Sequence, residues 1–294
     1  MANLTFYILD VFAQEKYSGN QLAVIANAGK LSSGEMQRIA NEMHFSETTF
    51  ILSSQQREGG YDVRIFTPST EVPFAGHPTL GTAYIIKSFI TREKASNVVI
   101  NLKVGQIPVT FEKTQDDKEF LWMTQTAPTF GKTFPVVQFA QMLGIEPSNF
   151  ESKYPVQEVS TGLPFIIVPI KTLDAVKRTK VNRDLLLNLA LENPSGILVF
   201  CPQTCTPGND LHVRVFVDAF GIPEDPATGS GNGCLAAYLS YHQYFGGSEV
   251  DIKVEQGIEI ARPAQLHLRA EIKKDKMQVR IGGQVVLIAK GELV

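Results

Sequence analysis

Val63-Arg64-Ile65-Phe66 recurs as Val213-Arg214-Val215-Phe216, 150 residues further on. Both copies are rich in β-branched and aromatic residues, as strands are. Each runs into a proline-containing acidic loop and then a glycine-rich turn. The first turn is Ala75-Gly76-His77-Pro78-Thr79-Leu80-Gly81, leading to Thr82-Ala83-Tyr84. The second is Thr228-Gly229-Ser230-Gly231-Asn232-Gly233, leading to Ala236-Ala237-Tyr238. A repeat of half the chain length predicts two similar domains related by pseudo-symmetry. Chance likeness of two strand–turn–helix units is the competing reading, and the matched downstream order weighs against it.

The 294-residue length agrees with two domains at about 150 residues each. Hydrophobic residues make up 44% and charged residues 19%, a globular balance that argues against disorder. Lys and Arg total 27 against 30 Asp and Glu, so no basic footprint points to nucleic acid. Cys201, Cys205 and Cys234 are too few for a disulfide framework, which favours a reducing compartment. The first ten residues carry no basic n-region or cleavage motif and are not expected to act as a secretion signal. No apolar run approaches the ~18 residues that span a bilayer. A cytoplasmic protein without membrane contact is the expectation.

Short runs rich in Val, Ile and Phe dominate, among them 6–12, 61–66, 98–102, 107–111, 165–170, 196–200, 212–217, 265–272, 277–281 and 285–289. Helical patterns are fewer. Ser32-x-x-Glu35 reads as a capping box before Met36, Ile39, Ala40 and Met43. Val136, Phe139, Ala140 and Leu143 repeat the spacing, with Gly144 as a stop. Leu235, Tyr238, Leu239 and His242 form another face. This balance predicts an α+β fold rather than regular βαβ alternation. The polar stretch Asp116-Asp117-Lys118-Glu119 suits a domain boundary. The expected domains are therefore residues 1–115 with 286–294, and residues 118–285.

Each small-residue turn opens a helix, so backbone N–H groups there lack intrahelical partners and the helix dipole favours an anion. Either turn alone could merely permit tight helix entry. As a pair, Gly76 and Gly229 suggest a grip on a small carboxylic acid from two sides. Gly229-x-Gly231-x-Gly233 lacks the third glycine of a dinucleotide fingerprint, because position 234 is Cys. No Walker sequence is present, and Cys201-x-x-x-Cys205 lacks a second pair or a nearby His cluster, so no zinc site is expected there. The expected cofactor and metal content is therefore none. Glu47 stands at the start of an apolar strand, His77 lies in the first turn, and Asp225 precedes Pro226. Each could serve acid–base or ligand chemistry, and each could equally be a strand end or a cap.

Five ordered motifs give the chain a resemblance. They are Asp10-Val11-Phe12 with Ser18-Gly19-Asn20, Ser46-Glu47-Thr48-Thr49-Phe50, Arg64-x-Phe66-Thr67-Pro68, Glu71-x-Pro73-x-Ala75-Gly76-His77-Pro78-Thr79, and Glu224-Asp225-Pro226-Ala227-Thr228-Gly229-Ser230. Over nearly its whole length the sequence resembles the PhzF-like family of the diaminopimelate-epimerase-like superfamily, named for a phenazine-biosynthesis isomerase. The resemblance implies two domains, each a curved, mostly antiparallel sheet wrapped round a central helix, with the active site in the cleft between them. It also implies a cofactor-free isomerase, commonly a homodimer. By position, Glu47 resembles the family's catalytic acid/base. His77, Asp225, Ser230 and the backbone of Gly76 and Gly229 resemble its supporting catalytic and substrate-binding groups. The superfamily's epimerases carry a cysteine at the head of each turn, where this chain has Ala75 and Thr228, which disfavours a two-thiol racemase.

Two functional readings follow. One is an isomerase that shifts a proton on, or epimerises, a small amino- or hydroxy-substituted carboxylic acid. The other is a small-acid-binding protein that keeps the fold without turnover. A pure binder has no need of a carboxylate at position 47.

Overall fold

The computed structural model describes residues 4–91, 95–114, 117–188, 196–217, 222–274 and 276–294. The chain divides into two units, Met1–Thr124 with Gly282–Val294, and Gln125–Ile281. In unit one, β1 (Leu4–Val11) pairs antiparallel with β2 (Asn20–Ile25) and with β18 (Val285–Leu293). The sheet continues through β3 (Glu47–Ile51), parallel to β2, and β4 (Tyr61–Phe66), antiparallel to β3. The short β5 (Glu71–Val72) pairs with the end of β4. β6 (Asn97–Leu102) runs parallel to β4, and β7 (Gly105–Lys113) and β8 (Glu119–Thr124) complete the sheet antiparallel.

Unit two repeats this order. β9 (Thr129–Phe134) and β11 (Pro164–Pro169) flank β10 (Val156–Ser160), both antiparallel. β12 (Gly196–Cys201) is parallel to β11, and β13 (Leu211–Val217) is antiparallel to β12. β14 (Ile222–Asp225) pairs with β13 as β5 does with β4. β15 (Val250–Gln256) is parallel to β13, β16 (Ala264–Lys273) is antiparallel to β15, and β17 (Lys276–Gly283) follows before the chain returns to β18. The fold is α+β, with the two parallel pairings of one sheet recurring at the same places in the other.

The sequence repeat occupies β4 and β13. Alternation sends Arg and Phe to one face and the intervening Val and Ile to the other. Phe66 joins Met36 and Ala40 of α1 (Ser33–Met43) in one cluster, while Phe216 joins Phe139 of α3 (Val136–Leu143) and Val176 of α4 (Leu173–Arg178) in another. Each Arg forms a two-pronged bridge back across its strand pair. Arg64 Nε and Nη2 donate to Glu71 at 2.8 and 2.8 Å, and Arg214 Nε and Nη2 donate to Glu224 at 2.9 and 2.7 Å. Each guanidinium also lies over its own Phe ring, at 5.0 Å and 4.9 Å from the centroid. The repeat thus preserves a bridge that ties strand to acidic loop, and the loop leads into the central helix.

Those helices are α2 (Gly76–Ile85), continued by a π-type turn over Ile86–Thr91, and, after the short α5 (Arg183–Asn188), α6 (Gly229–Tyr241). α2 packs against β1, β2, β3, β6, β7, β8 and β18, and α6 against β10, β11, β12, β15 and β16. Sheet surrounds each helix, so nearly every position of both is buried. The single apolar face expected for Leu235, Tyr238 and Leu239 is therefore a helix buried all round, the pattern of a central helix. His242 is its C-cap. By contrast α1 is amphipathic and covers the outside of its sheet, and its capping box forms as the sequence predicts. α3 ends at Gly144 in the left-handed region, φ 66°.

The unit boundaries differ from the expected ones. β8 belongs to unit one, and the polar stretch before it is the β7–β8 turn, closed by Thr114 N–H to Lys118 O and Asp117 N–H to Thr114 O. Polarity at a hairpin tip and at a domain linker has the same cause, solvent exposure. Asp116 lies outside the described residues. At the other end the division falls at Ile281/Gly282, because β18 pairs with β1 over its whole length. Among the described residues, no helix is long and apolar enough to cross a membrane.

Candidate active site

Glu47, His77 and Gly76 come together in unit one. Glu47 is the first residue of β3, opposite Leu22 of β2. The chain reaches β2 through a tight excursion after β1, where Asp10 Oδ2 accepts the Tyr17 N–H at 2.7 Å. Gly19 sits at φ +63°, and a Cβ there would lie 2.3 Å from the Val11 carbonyl oxygen. Only glycine fits this close approach, which brings Asn20 onto the sheet beside α2.

His77 is the second residue of α2, whose N-cap Ala75 supplies no side-chain hydrogen bond. Pro78 has no N–H, so the open end of this helix is formed by the N–H groups of Gly76 and His77. The His77 ring is held between two groups. The Asn20 amide nitrogen lies 3.2 Å from Nδ1, and Glu47 Oε2 lies 3.3 Å from Nε2. The ring is 4% exposed. Burial pulls its pKa from 6.5 to about 3, against a smaller opposing effect of the Gln21 backbone. The pair is therefore a neutral imidazole beside a carboxylate, not an ion pair, and His77 does not titrate near neutral pH.

Asp225, Gly229 and Ser230 come together in unit two. Asp225 ends β14, and its Oδ2 accepts the Thr228 hydroxyl at 2.5 Å. Thr228 is the N-cap of α6, yet its side chain makes no capping bond because it is turned to Asp225. Gln256 binds the surrounding backbone. Its Nε2 donates to Asp225 O at 2.7 Å, and its Oε1 accepts from Thr228 N and Asn232 Nδ2 at 3.2 and 2.8 Å. Gln125 Nε2 donates to Gly229 O at 2.9 Å, and Thr161 Oγ1 bonds Gln125 Oε1. Gly233 permits this arrangement, since a Cβ there would stand 1.9 Å from Gln125 Oε1. Ser230 is 6% exposed, as is Asp225.

Both helix starts use the same back-bond. Thr79 Oγ1 donates to Ala75 O at 2.7 Å, and Asn232 Nδ2 to Thr228 O at 3.0 Å. Sequence reasoning singled out the turn residues but missed Gln125, Thr161, Asn232 and Gln256. Gln125 and Gln256 lie 104 and 31 residues from the backbone groups they hold, so spacing could not reveal them. Asn20 stood in a quoted motif without an assigned role. Cys234, six residues beyond Thr228, is fully buried, hydrogen-bonded to Leu163 O at 3.4 Å, and raised by burial to about 12. It is a packing thiol. A cavity of about 910 Å³ in unit one, bordered by Tyr84, Lys87, Lys118, Glu119, Val286 and Leu287, touches none of the six candidate residues.

The sequence model of the PhzC-PhzF family, described as phenazine biosynthesis-like protein, matches residues 9–291. The chain belongs to this family. An uncharacterized isomerase of Clostridium acetobutylicum is 35% identical, over 98% of this chain and 97% of its own. Trans-2,3-dihydro-3-hydroxyanthranilate isomerase of Pseudomonas aeruginosa is 31% identical, over 97% of this chain and 98% of its own. The crystal structure of a Bacillus anthracis phenazine biosynthesis protein of the PhzF family superposes with a TM-score of 0.91 at 29% identity, covering all of both chains. This PhzF-family chain is accordingly an isomerase with the epimerase-like α+β fold.

Proposed function

We propose that the protein is a cofactor-independent proton-shift isomerase of a small amino- or hydroxy-substituted carboxylic acid, with Glu47 as acid and base. The observation that carries this reading is Glu47 beside a buried, neutral His77. Moving a proton at carbon needs a positioned base and stabilisation of the negative charge that develops. The Asn20 amide lies against Nδ1 and Glu47 Oε2 lies 3.3 Å from Nε2, so the ring fixes the place of the carboxylate beside it. A neutral imidazole orients the carboxylate without the full charge that would weaken it as a base. One carboxylate can then take a proton from one carbon and return it to another.

The uncapped ends of α2, at Gly76, and of α6, at Gly229, are each suited to a carboxylate and to developing negative charge, and Asp225 and Ser230 beside the second are suited to an amino or hydroxyl group. Support comes from the shared back-bonded construction of the two turns, and from the P. aeruginosa relative, whose named substrate is itself a hydroxy- and amino-bearing cyclic acid. The family resemblance supports action as a homodimer, and the sparse cysteines a reducing compartment such as the cytoplasm. Glu47 separates this reading from a non-catalytic binder, which would need no carboxylate there.

Small amino acids and cyclohexadiene acids, including trans-2,3-dihydro-3-hydroxyanthranilate, are screened for deuterium uptake in heavy water by NMR. Glu47→Gln keeps size and one acceptor oxygen but takes up no proton at working pH. It is expected to lower kcat by about 10²–10⁴-fold with little change in binding. Cys234→Ala is expected to exchange at the parent rate. Parent-rate exchange by Glu47→Gln would overturn the single-carboxylate mechanism.

A further inference from the structure

A cluster lies elsewhere in unit two, on the paired strands β13 and β15. His212 and Glu255 are register partners there, and His212 Nδ1 is 2.8 Å from Glu255 Oε1. Cys205, in the segment between β12 and β13, places Sγ 3.9 Å from the same Nδ1. The three ligand atoms all lie within 4.8 Å of one another. We propose that Cys205 Sγ, His212 Nδ1 and Glu255 Oε1 form a binding site for a divalent transition-metal ion, with zinc as the fitting ion.

The donor set is thiolate, imidazole and carboxylate, which suits zinc and excludes the hard ions that take oxygen alone. Tetrahedral bonds of about 2.0–2.3 Å set ligand atoms between 3 and 4 Å apart; Cys205 Sγ and His212 Nδ1 are 3.9 Å apart, and the 2.8 Å between His212 Nδ1 and Glu255 Oε1 would open slightly on binding. The outer partners are those of a built site. Glu259 Oε1 lies 3.1 Å from His212 Nε2, the carboxylate–imidazole pairing that turns the other ring nitrogen to a metal. Thr206 N and Asn209 Nδ2 both hold Glu255 Oε2 at 2.9 Å, and the Cys205 N–H holds Oε1 at 2.5 Å, which fixes the carboxylate beside the Cys205 segment. His212 is wholly buried and Cys205 is exposed, so the fourth coordination position opens to water. Charge balances as well. Exchanging the protons of Nδ1 and Sγ for a dication leaves the net charge of the cluster unchanged.

The neighbouring residue gives the site a consequence. Side chains alternate along β15, so Glu255 faces the cluster while Gln256 faces the start of α6. An ion that ties the Cys205 segment to β13 and β15 would brace the strand that carries Gln256. Its role is structural, apart from the proton transfer assigned to Glu47.

The test uses the full chain, freed of metal by chelator and dialysed. Zinc binding is measured by competition with a chromogenic chelator, and cobalt is added separately to look for a thiolate-to-cobalt charge-transfer band in the near ultraviolet. The expected result is one zinc per chain, a cobalt band, and a higher melting temperature with zinc. Cys205→Ala removes an exposed side chain, so it is expected to fold. It should lose the band and weaken zinc binding by more than the ~100-fold that an orienting partner is worth. Glu259→Gln should keep the band and weaken binding by about 10–100-fold. Cys201→Ala should change neither. Absence of saturable zinc binding, or unchanged affinity or an unchanged cobalt band in folded Cys205→Ala, would overturn the proposal.

Discussion

Lowering the pH from neutral toward about 4.5 should destabilise the protein through His77 before its buried carboxylates respond. The ring binds protons less readily folded than unfolded, with the pKa lowered from 6.5 to about 3 by burial. Between those values the unfolded chain therefore binds more protons. His77 contributes full stability above 6.5, loses it as the pH falls, and has lost all of it below about 3. At 1.36 kcal/mol per unit the whole window amounts to about 5 kcal/mol, of which about 2–3 kcal/mol is lost by pH 4.5. Glu71 and Glu255, both lowered to about 2, hold their full contribution above the ordinary value of 4.5 and lose it between 4.5 and about 2, so at pH 4.5 their loss is only beginning. Other histidines act in the same window. His267, lowered to about 4 chiefly by burial, acts in the same direction. At His212 burial works downward, but the bonds to Glu255 and Glu259 win and raise the pKa, so it acts in the opposite direction. A difference measurement removes both. Urea unfolding of the parent and of His77→Gln is followed at neutral pH and near pH 4.5. The parent should lose about 2–3 kcal/mol more than the variant over that interval. Equal losses would show that His77 is not held neutral by burial, and the orienting role given to it beside Glu47 would go with it.

The remaining expectations concern catalysis and the two helix starts. The pH–rate profile of the parent should show no ionisation attributable to His77 near 6.5, and His77→Gln should lower kcat while leaving the acid limb in place; a shifted limb would identify His77 as the titrating group. Gly233→Ala should displace Gln125 from Gly229 and Thr161, leaving two buried groups without partners at about 1–3 kcal/mol each, a loss read as a lowered melting temperature. Unchanged melting would mean that Gln125 does not hold this helix start. Arg214→Lys should cost about 3–5 kcal/mol, because the buried guanidinium also donates to the carbonyls of Val176, Lys177 and Thr179, whereas Arg64→Lys at its more exposed bridge should cost about 1 kcal/mol or less. Equal costs in urea unfolding would refute this ranking.

Local patterns were legible because their causes are local. The Ser32 capping box needs only residues three apart, and the strand runs on β4 and β13 announce themselves by composition. The repeat of those two strands, with its two small-residue turns, was enough to predict two alike units and to single out Gly76, His77, Gly229 and Ser230. Ordered motifs carried Glu47 and Asp225, whose own surroundings in the chain left them ambiguous. The tertiary structure decided what each group is chemically. His77 reads in the sequence as a titrating histidine, and becomes a neutral one because sheet closes round α2 and removes water from the ring. Arg64 and Glu71 read as parts of a motif, and become a bridge because β4 and β5 pair. Cys205 showed no second cysteine pair or histidine cluster in the sequence, yet the chain turns it back on His212, 7 residues on, and the parallel pairing of β13 with β15 adds a carboxylate 50 residues away. Periodicity and capping report what a residue does to its near neighbours. Burial, desolvation and strand pairing depend on segments far apart in the chain, and only the folded sheet brings those together.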